Sequence, residues 1–103
     1  MYEYNCELVR VIDGDTIVLD IDAGFSITVR KHVRVLGIDT PEMRGPERTA
    51  GLEATMKVTR WLTGRQLTVF TEKSDSFGRY LGDIFGNGES LTDWLLGMGY
   101  DPY

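Results

Sequence analysis

The sequence is 103 residues long, 42% hydrophobic and 26% charged, with a formal net charge of −5. That is the length and composition of one globular domain, spanning 1–103, and it excludes disorder, collagen-like structure and coiled coil. No stretch reaches the ~18 apolar residues of a bilayer-spanning helix, the first residues lack a signal-peptide pattern, and Cys6 is the single cysteine, which excludes an intrachain disulfide and a cysteine-rich zinc site.

Residues 6–12 alternate and read as a first strand, and the β-branched run 16–21 as a second. Asp22-Ala23-Gly24 separates that run from 25–36, a long and bent third strand carrying Ile27, Val29, Val33 and Val35. Residues 37–50 hold two Pro and two Gly and form a loop. The period then changes: Ala54, Val58, Trp61 and Leu62 fall at helical spacing over 51–63, and Gly64 is a helix stop. Residues 66–72 are a fourth strand, 73–79 a polar turn, 80–85 a fifth strand and 86–88 a turn. Ser90-Leu91-Thr92-Asp93 resembles a capping box, and Leu91, Trp94, Leu95 and Met98 make one helical face closed by Gly99. The order β-β-β-α-β-β-α predicts an α+β, mainly β protein. It fits a five-stranded OB-type Greek-key barrel with a helix between strands 3 and 4 and a second helix after strand 5. An open antiparallel sheet packed on two helices has the same order.

Charge is unevenly placed. Residues 1–22 carry one Arg against six acids, residues 23–71 eight bases against four acids, and residues 80–103 four acids with no Lys or Arg. A phosphate meets the local field rather than the net charge, so the basic middle leaves nucleic acid open as a partner.

Two acidic segments flank turns: Asp13-Gly14-Asp15-Thr16 after strand one and Asp39-Thr40-Pro41-Glu42 after strand three. Carboxylates on strand-end turns suit a hard cation, Ca²⁺ or Mg²⁺. Each segment alone is also an ordinary turn. Arg34, five residues before Asp39, and Arg79, in Asp75-Ser76-Phe77-Gly78-Arg79, could grip a phosphate in bidentate fashion beside such a cation. Either arginine alone reads equally as a surface or ion-pairing residue. His32, Arg30 and Lys31 read as an exposed β face, with the two cations able to steer phosphate. Cys6 reads as a buried residue of strand one and Trp61 and Trp94 as core, while the Arg44-Gly45-Pro46-Glu47-Arg48 loop, directly after Glu42, could touch substrate and reads equally as a mobile loop with no fixed role.

Ile12-Asp13-Gly14-Asp15-Thr16, then residues 33–42 (VRVLGIDTPE), then residues 75–84 (DSFGRYLGDI) resemble, in order and at compatible spacing, the three signature blocks of the staphylococcal nuclease (thermonuclease) family. Residues 51–62 match the family's first helix and 90–99 its second, so the resemblance covers nearly the whole chain. It implies an OB-type barrel and a Ca²⁺-dependent endo/exonuclease, a hydrolase of phosphodiester bonds in DNA and/or RNA. The preferred substrate would be single-stranded or frayed, cut with little sequence preference to leave 3′-phosphate ends. Asp15 and Asp39 match the carboxylate ligands of Ca²⁺, and Thr40 the position whose backbone carbonyl joins them. Glu42 matches the residue that orients or deprotonates the attacking water. Arg34 and Arg79 match the two arginines on the scissile phosphate, and Asp13 an acid just behind the metal ligands. The rival reading is a non-catalytic OB-type module that binds nucleic acid or protein. Such modules typically lose the carboxylates or arginines that stand here.

Some positions depart from the family. Its pattern usually continues past the Gly99 position into a loop and a third helix, so a short form is expected to be less stable and to bind nucleic acid weakly. Its base-stacking tyrosines lie in that loop, and only Tyr100 and Tyr103 stand near here; Phe77 replaces a frequent Tyr. A monomer acting off the membrane is the default expectation. The compartment expected is cytoplasmic or phage-borne, or secreted if a leader has been removed.

Overall fold

A computed structural model describes residues 2–74 and 80–103. Its elements in chain order are β1 (Tyr2–Asp13), β2 (Thr16–Asp22), β3 (Thr28–Val35), β4 (Ile38–Asp39), a 3₁₀ turn (Gly45–Glu47), α1 (Arg48–Leu62), β5 (Leu67–Ser74), β6 (Tyr80–Gly86), β7 (Glu89–Ser90), α2 (Leu91–Gly97) and β8 (Asp101–Pro102). Strand order β3-β2-β1-β5-β6 is antiparallel throughout. Parallel pairing of Val33–Val35 in β3 with residues 80–82 of β6 closes the sheet on itself. The result is the OB-type barrel of five long strands, and the open sheet is excluded.

Alternation explains which residues fill it. Ile17, Leu19 and Ile21 of β2, Val33 and Val35 of β3, Leu67 and Val69 of β5 and Ile84 of β6 point inward and are buried. Val58, Trp61 and Leu62 of α1 and Leu91 and Leu95 of α2 complete the same core. β1 runs longer than the alternation of 6–12 suggests, because Tyr2–Cys6 pair with β5 while the rest pairs with β2. Register shifts at Leu8/Arg10 and Val11/Asp13 bend the half of the strand that pairs with β2.

The predicted third strand is cut short at its start. Residues 23–27 form a closed turn in which Gly24, Phe25 and Ser26 all have positive φ, and Phe25 is 98% exposed. The Asp22 carboxylate accepts the Gly24 N–H at 2.9 Å, which replaces ladder bonds with an Asx-type turn. Trp61 stacks on Trp94 at 5.6 Å between centroids, Trp61 in the core and Trp94 half-buried. Met98 does not join the buried face of α2: it caps the helix and is 43% exposed. Ser90 Oγ accepts the Asp93 N–H at 3.1 Å, the N-cap half of the predicted box. Among the described residues, no helix is long and apolar enough to cross a membrane.

Asp83 on β6 is pushed above the ordinary carboxyl pKa, first by burial and then by the charge of Asp93. A raised carboxyl pKa means that ionisation opposes folding, so this residue's penalty grows as pH rises through the shifted value. Asp83→Asn is therefore expected to melt higher than wild type at pH 7, with the difference vanishing near pH 3. Thermal melts at the two pH values check this.

Candidate active site

The short turn between β1 and β2 puts Asp15 at the barrel's edge, and β3 followed by a glycine turn at Gly37 puts Arg34, Asp39 and Thr40 beside it. Asp15 is 8% exposed and Thr40 6%. The Thr40 N–H donates to Asp15 Oδ2 at 3.0 Å, and Thr16 Oγ1 donates to Asp15 Oδ1 at 3.2 Å. The two acidic segments are thus tied directly, carboxylate to backbone, across 25 residues of chain.

Arg34 stands between the two acids. Its Nη1 donates to the carbonyls of Val35 (2.7 Å) and Ile38 (2.8 Å), which fixes the plane of the guanidinium. Its Nη2 faces Asp15 Oδ2 at 3.6 Å and Asp39 Oδ1 at 3.8 Å, beyond hydrogen-bond length. The Arg34 side chain is only 12% exposed, whereas that of Asp39 is 56% exposed. The Tyr103 ring lies 4.9 Å from the Arg34 guanidinium carbon, a cation–π contact, and Tyr103 N donates to Gly37 O. One edge of the guanidinium is spent on structure, and Nη2 is left for an anion.

The donors for a cation are all oxygen: the carboxylates of Asp15 and Asp39 and the oxygens of Thr40. Thr40 Oγ1 is buried with no hydrogen-bond partner among the described residues. It lies where a Cβ on Gly14 would come within 2.7 Å, so the glycine keeps space beside it. Among the described residues, no cluster of three or more His, Cys, Asp or Glu side chains could hold a metal. Two carboxylates and a threonine oxygen fit a hard cation that keeps waters or takes phosphate oxygens, and do not fit a soft one.

Glu42 stands apart from this cluster. It lines a small recess with Asp13, Met43 and Arg44, and its Oε2 lies 3.6 Å from Arg44 Nε. Asp13 is raised above the ordinary carboxyl pKa, chiefly by burial and then by the charges of Asp15 and Glu42; a hydrogen bond from the Met43 backbone and the charge of Arg44 work the other way. The site residues thus fall into two neighbouring groups, Asp15, Arg34, Asp39 and Thr40 in one, Asp13 and Glu42 in the other. Arg79 and Phe77 lie outside the described residues.

Of the steering candidates, Arg30 is held by Asp20 at 2.8 and 3.0 Å, a bidentate pair, and Lys31 Nζ lies 5.6 Å from the centre of the Tyr80 ring. His32 is exposed on the outer face of β3. Cys6 is buried and its thiol pushed up to about 11, so it is inert.

Three contributions escaped the sequence reading. The pairing of β8 with β4 lays Asp101 against Asp39 and carries Tyr103 onto Arg34. Glu47 Oε2 accepts the Glu42 N–H at 3.4 Å. Gly51, inside α1, lets the Glu42 backbone sit against the helix, where a Cβ would strike the Glu42 carbonyl.

A closed five-stranded barrel with two acidic turns and a clamped arginine at one edge is the architecture of a nuclease-type OB fold. The chain belongs to the staphylococcal nuclease family: the sequence model described as "Staphylococcal nuclease homologue" matches residues 32–102. The chain is similar to the thermonuclease of Staphylococcus hyicus, 31% identical over 102 residues, which covers 94% of this chain and 57% of the relative. An uncharacterized 38.1 kDa protein of Capnoides sempervirens is 33% identical over 91 residues, covering 87% of this chain and 26% of that protein. A probable staphylococcal-like nuclease of Oryza sativa subsp. japonica is 31% identical over 75 residues, covering 72% of this chain and 20% of the relative. The chain therefore spans between a fifth and somewhat over half the length of these relatives.

Gly51→Ala gives a direct check on the loop. In an open helix the change stabilises by about 1 kcal/mol. Here the new methyl meets backbone, so urea denaturation is expected to show a net loss of about 1–3 kcal/mol. Displacement of the Glu42 segment should accompany it.

Proposed function

We propose that this chain is a calcium-dependent nuclease that hydrolyses phosphodiester bonds of DNA or RNA, prefers single strands, and leaves 3′-phosphate ends. The observation that carries this reading is the meeting of Asp15 and Asp39, with Thr40 tied to Asp15, at a guanidinium whose Nη2 makes no close hydrogen bond among the described residues. A calcium ion, when bound, would supply positive charge to the phosphate and hold the water next to it. Asp15, Asp39 and an oxygen of Thr40 would hold that ion. Arg34 Nη2 would donate to a nonbridging phosphate oxygen, and the low exposure of the side chain strengthens that contact. Arg79 would supply the second guanidinium. Glu42, exposed and next to Asp13, would accept the proton of the attacking water.

The resting arrangement supports the assignment energetically. Arg34 between two carboxylates gives a cluster of net charge −1, which would favour a dication held by Asp15 and Asp39, and Arg34 Nη2 would remain as a donor to a phosphate oxygen. A plain binding module would need neither Glu42 nor this balance. The names of the relatives in Staphylococcus hyicus and Oryza sativa support the same class.

The deciding measurement is hydrolysis of heat-denatured DNA with millimolar Ca²⁺, compared with the same reaction in chelator, with circular dichroism showing that the chain is folded. Calcium-dependent fragments with 3′-phosphate ends are expected; no cleavage by the folded chain would support the binding module instead. Arg34→Ala and Arg79→Ala should each lower kcat by about 10²–10³-fold. Asp39→Asn should shift the calcium titration to higher concentration, and an unchanged titration would move the ion elsewhere.

A further inference from the structure

Arg34 touches one residue that the chemistry above does not use. β8 pairs with β4, Pro102 opposite Ile38 and Asp101 opposite Asp39. Side chains two residues apart on an extended chain point to one side, so Tyr103 follows Asp101 onto the face that carries Asp39. There the Arg34 guanidinium carbon lies over the Tyr103 ring, 4.9 Å from its centroid. Backbone places the ring: the Tyr103 N–H donates to the Gly37 carbonyl at 3.3 Å. The turn that carries this carbonyl is itself pinned. The Leu36 N–H donates to Gly82 O at 2.9 Å, and Leu36 O accepts from Thr92 Oγ1 at 2.6 Å.

We propose that Tyr103 is a positioning residue of the nuclease site: its ring holds the Arg34 guanidinium in place for the phosphate and keeps it from closing on Asp39. The inference rests on the nuclease reading. The carbonyls of Val35 and Ile38 grip Arg34 through Nη1 alone. Nη2, the nitrogen offered to phosphate, stands 3.6 Å from Asp15 and 3.8 Å from Asp39. Charge attraction favours closing either gap, and the Asp39 side chain, 56% exposed, has room to approach. A closed ion pair with Asp39 would take the donor from the phosphate and the carboxylate from the cation at once. The ring opposes it in two ways. Its negative face attracts the guanidinium in competition with the carboxylate. Its bulk covers part of a side chain that is only 12% exposed, and a charge shielded from water interacts more strongly with each partner it keeps. Tyr103 needs to touch neither phosphate nor cation; it acts through Arg34.

The test is kcat and KM on heat-denatured DNA with millimolar Ca²⁺ for wild type, Tyr103→Ala, Tyr103→Phe, Arg34→Ala and the Arg34→Ala/Tyr103→Ala double variant. Tyr103 is 85% exposed and its bond to Gly37 is made by backbone, so the Tyr103 variants should fold, which circular dichroism verifies for all four. Tyr103→Ala should lower kcat about ten-fold with KM little changed, because a displaced guanidinium is missed most by the charge of the transition state. Tyr103→Phe keeps the ring without the hydroxyl and should recover the rate. In the Arg34→Ala background, removing the ring should cost nothing further. Three results would each overturn the positioning role and leave the nuclease standing: a wild-type kcat in Tyr103→Ala, with or without a raised KM; a loss in Tyr103→Phe as deep as in Tyr103→Ala; or the full loss repeated on top of Arg34→Ala. No cleavage by the folded wild type overturns the nuclease reading and the positioning role with it.

Discussion

The parallel pairing of Val33–Val35 with residues 80–82 is the constraint on which the rest depends. Without it β3 and β6 would be the edges of an open sheet, exposing two rows of backbone donors and acceptors. Closure is possible because Gly82 has no side chain: a Cβ there would come within 2.9 Å of Val33 Cγ1 and 3.0 Å of Val69 Cγ2. The seam sets Arg34 opposite Leu81, in the strand that directly follows Arg79. It therefore decides which end of each strand faces the acidic turns.

Around that seam the site is built from backbone as much as from side chains. The Arg34 guanidinium holds two carbonyls of its own turn, and the Asp15 carboxylate holds the Thr40 N–H. Each charged group is thus oriented by a neutral partner before any ligand arrives. Such preorganisation is what makes fixed charges effective against a developing phosphate charge, because little has to move at the moment of reaction. The remaining contacts, Nη2 to Asp15 and Asp39, are longer than hydrogen bonds at 3.6 and 3.8 Å.

Much of the fold was legible because its signals are local. Alternation in 16–21 and 66–72, the helical spacing of Ala54, Val58 and Trp61, and the Ser90 cap each report on neighbours within a few residues. The errors also have local causes. The apolar Phe25 and Ile27 fit a longer third strand, yet three left-handed residues close a turn there and leave Phe25 exposed. Met98 kept the helical spacing but falls where α2 has ended.

The set of elements is written in local pattern, and so is the group Asp15, Arg34, Asp39, Thr40 and Glu42, the residue types expected of a metal-and-phosphate site, because each sits in a short motif. How they are shared out depends on tertiary contacts. The fold placed Asp15 on Thr40 across 25 residues, left Glu42 beside Asp13 rather than beside Arg34, and brought Tyr103 over the guanidinium through the pairing of β8 with β4. Those outcomes depend on barrel closure and on contacts between residues far apart in the chain, which no local propensity or spacing encodes.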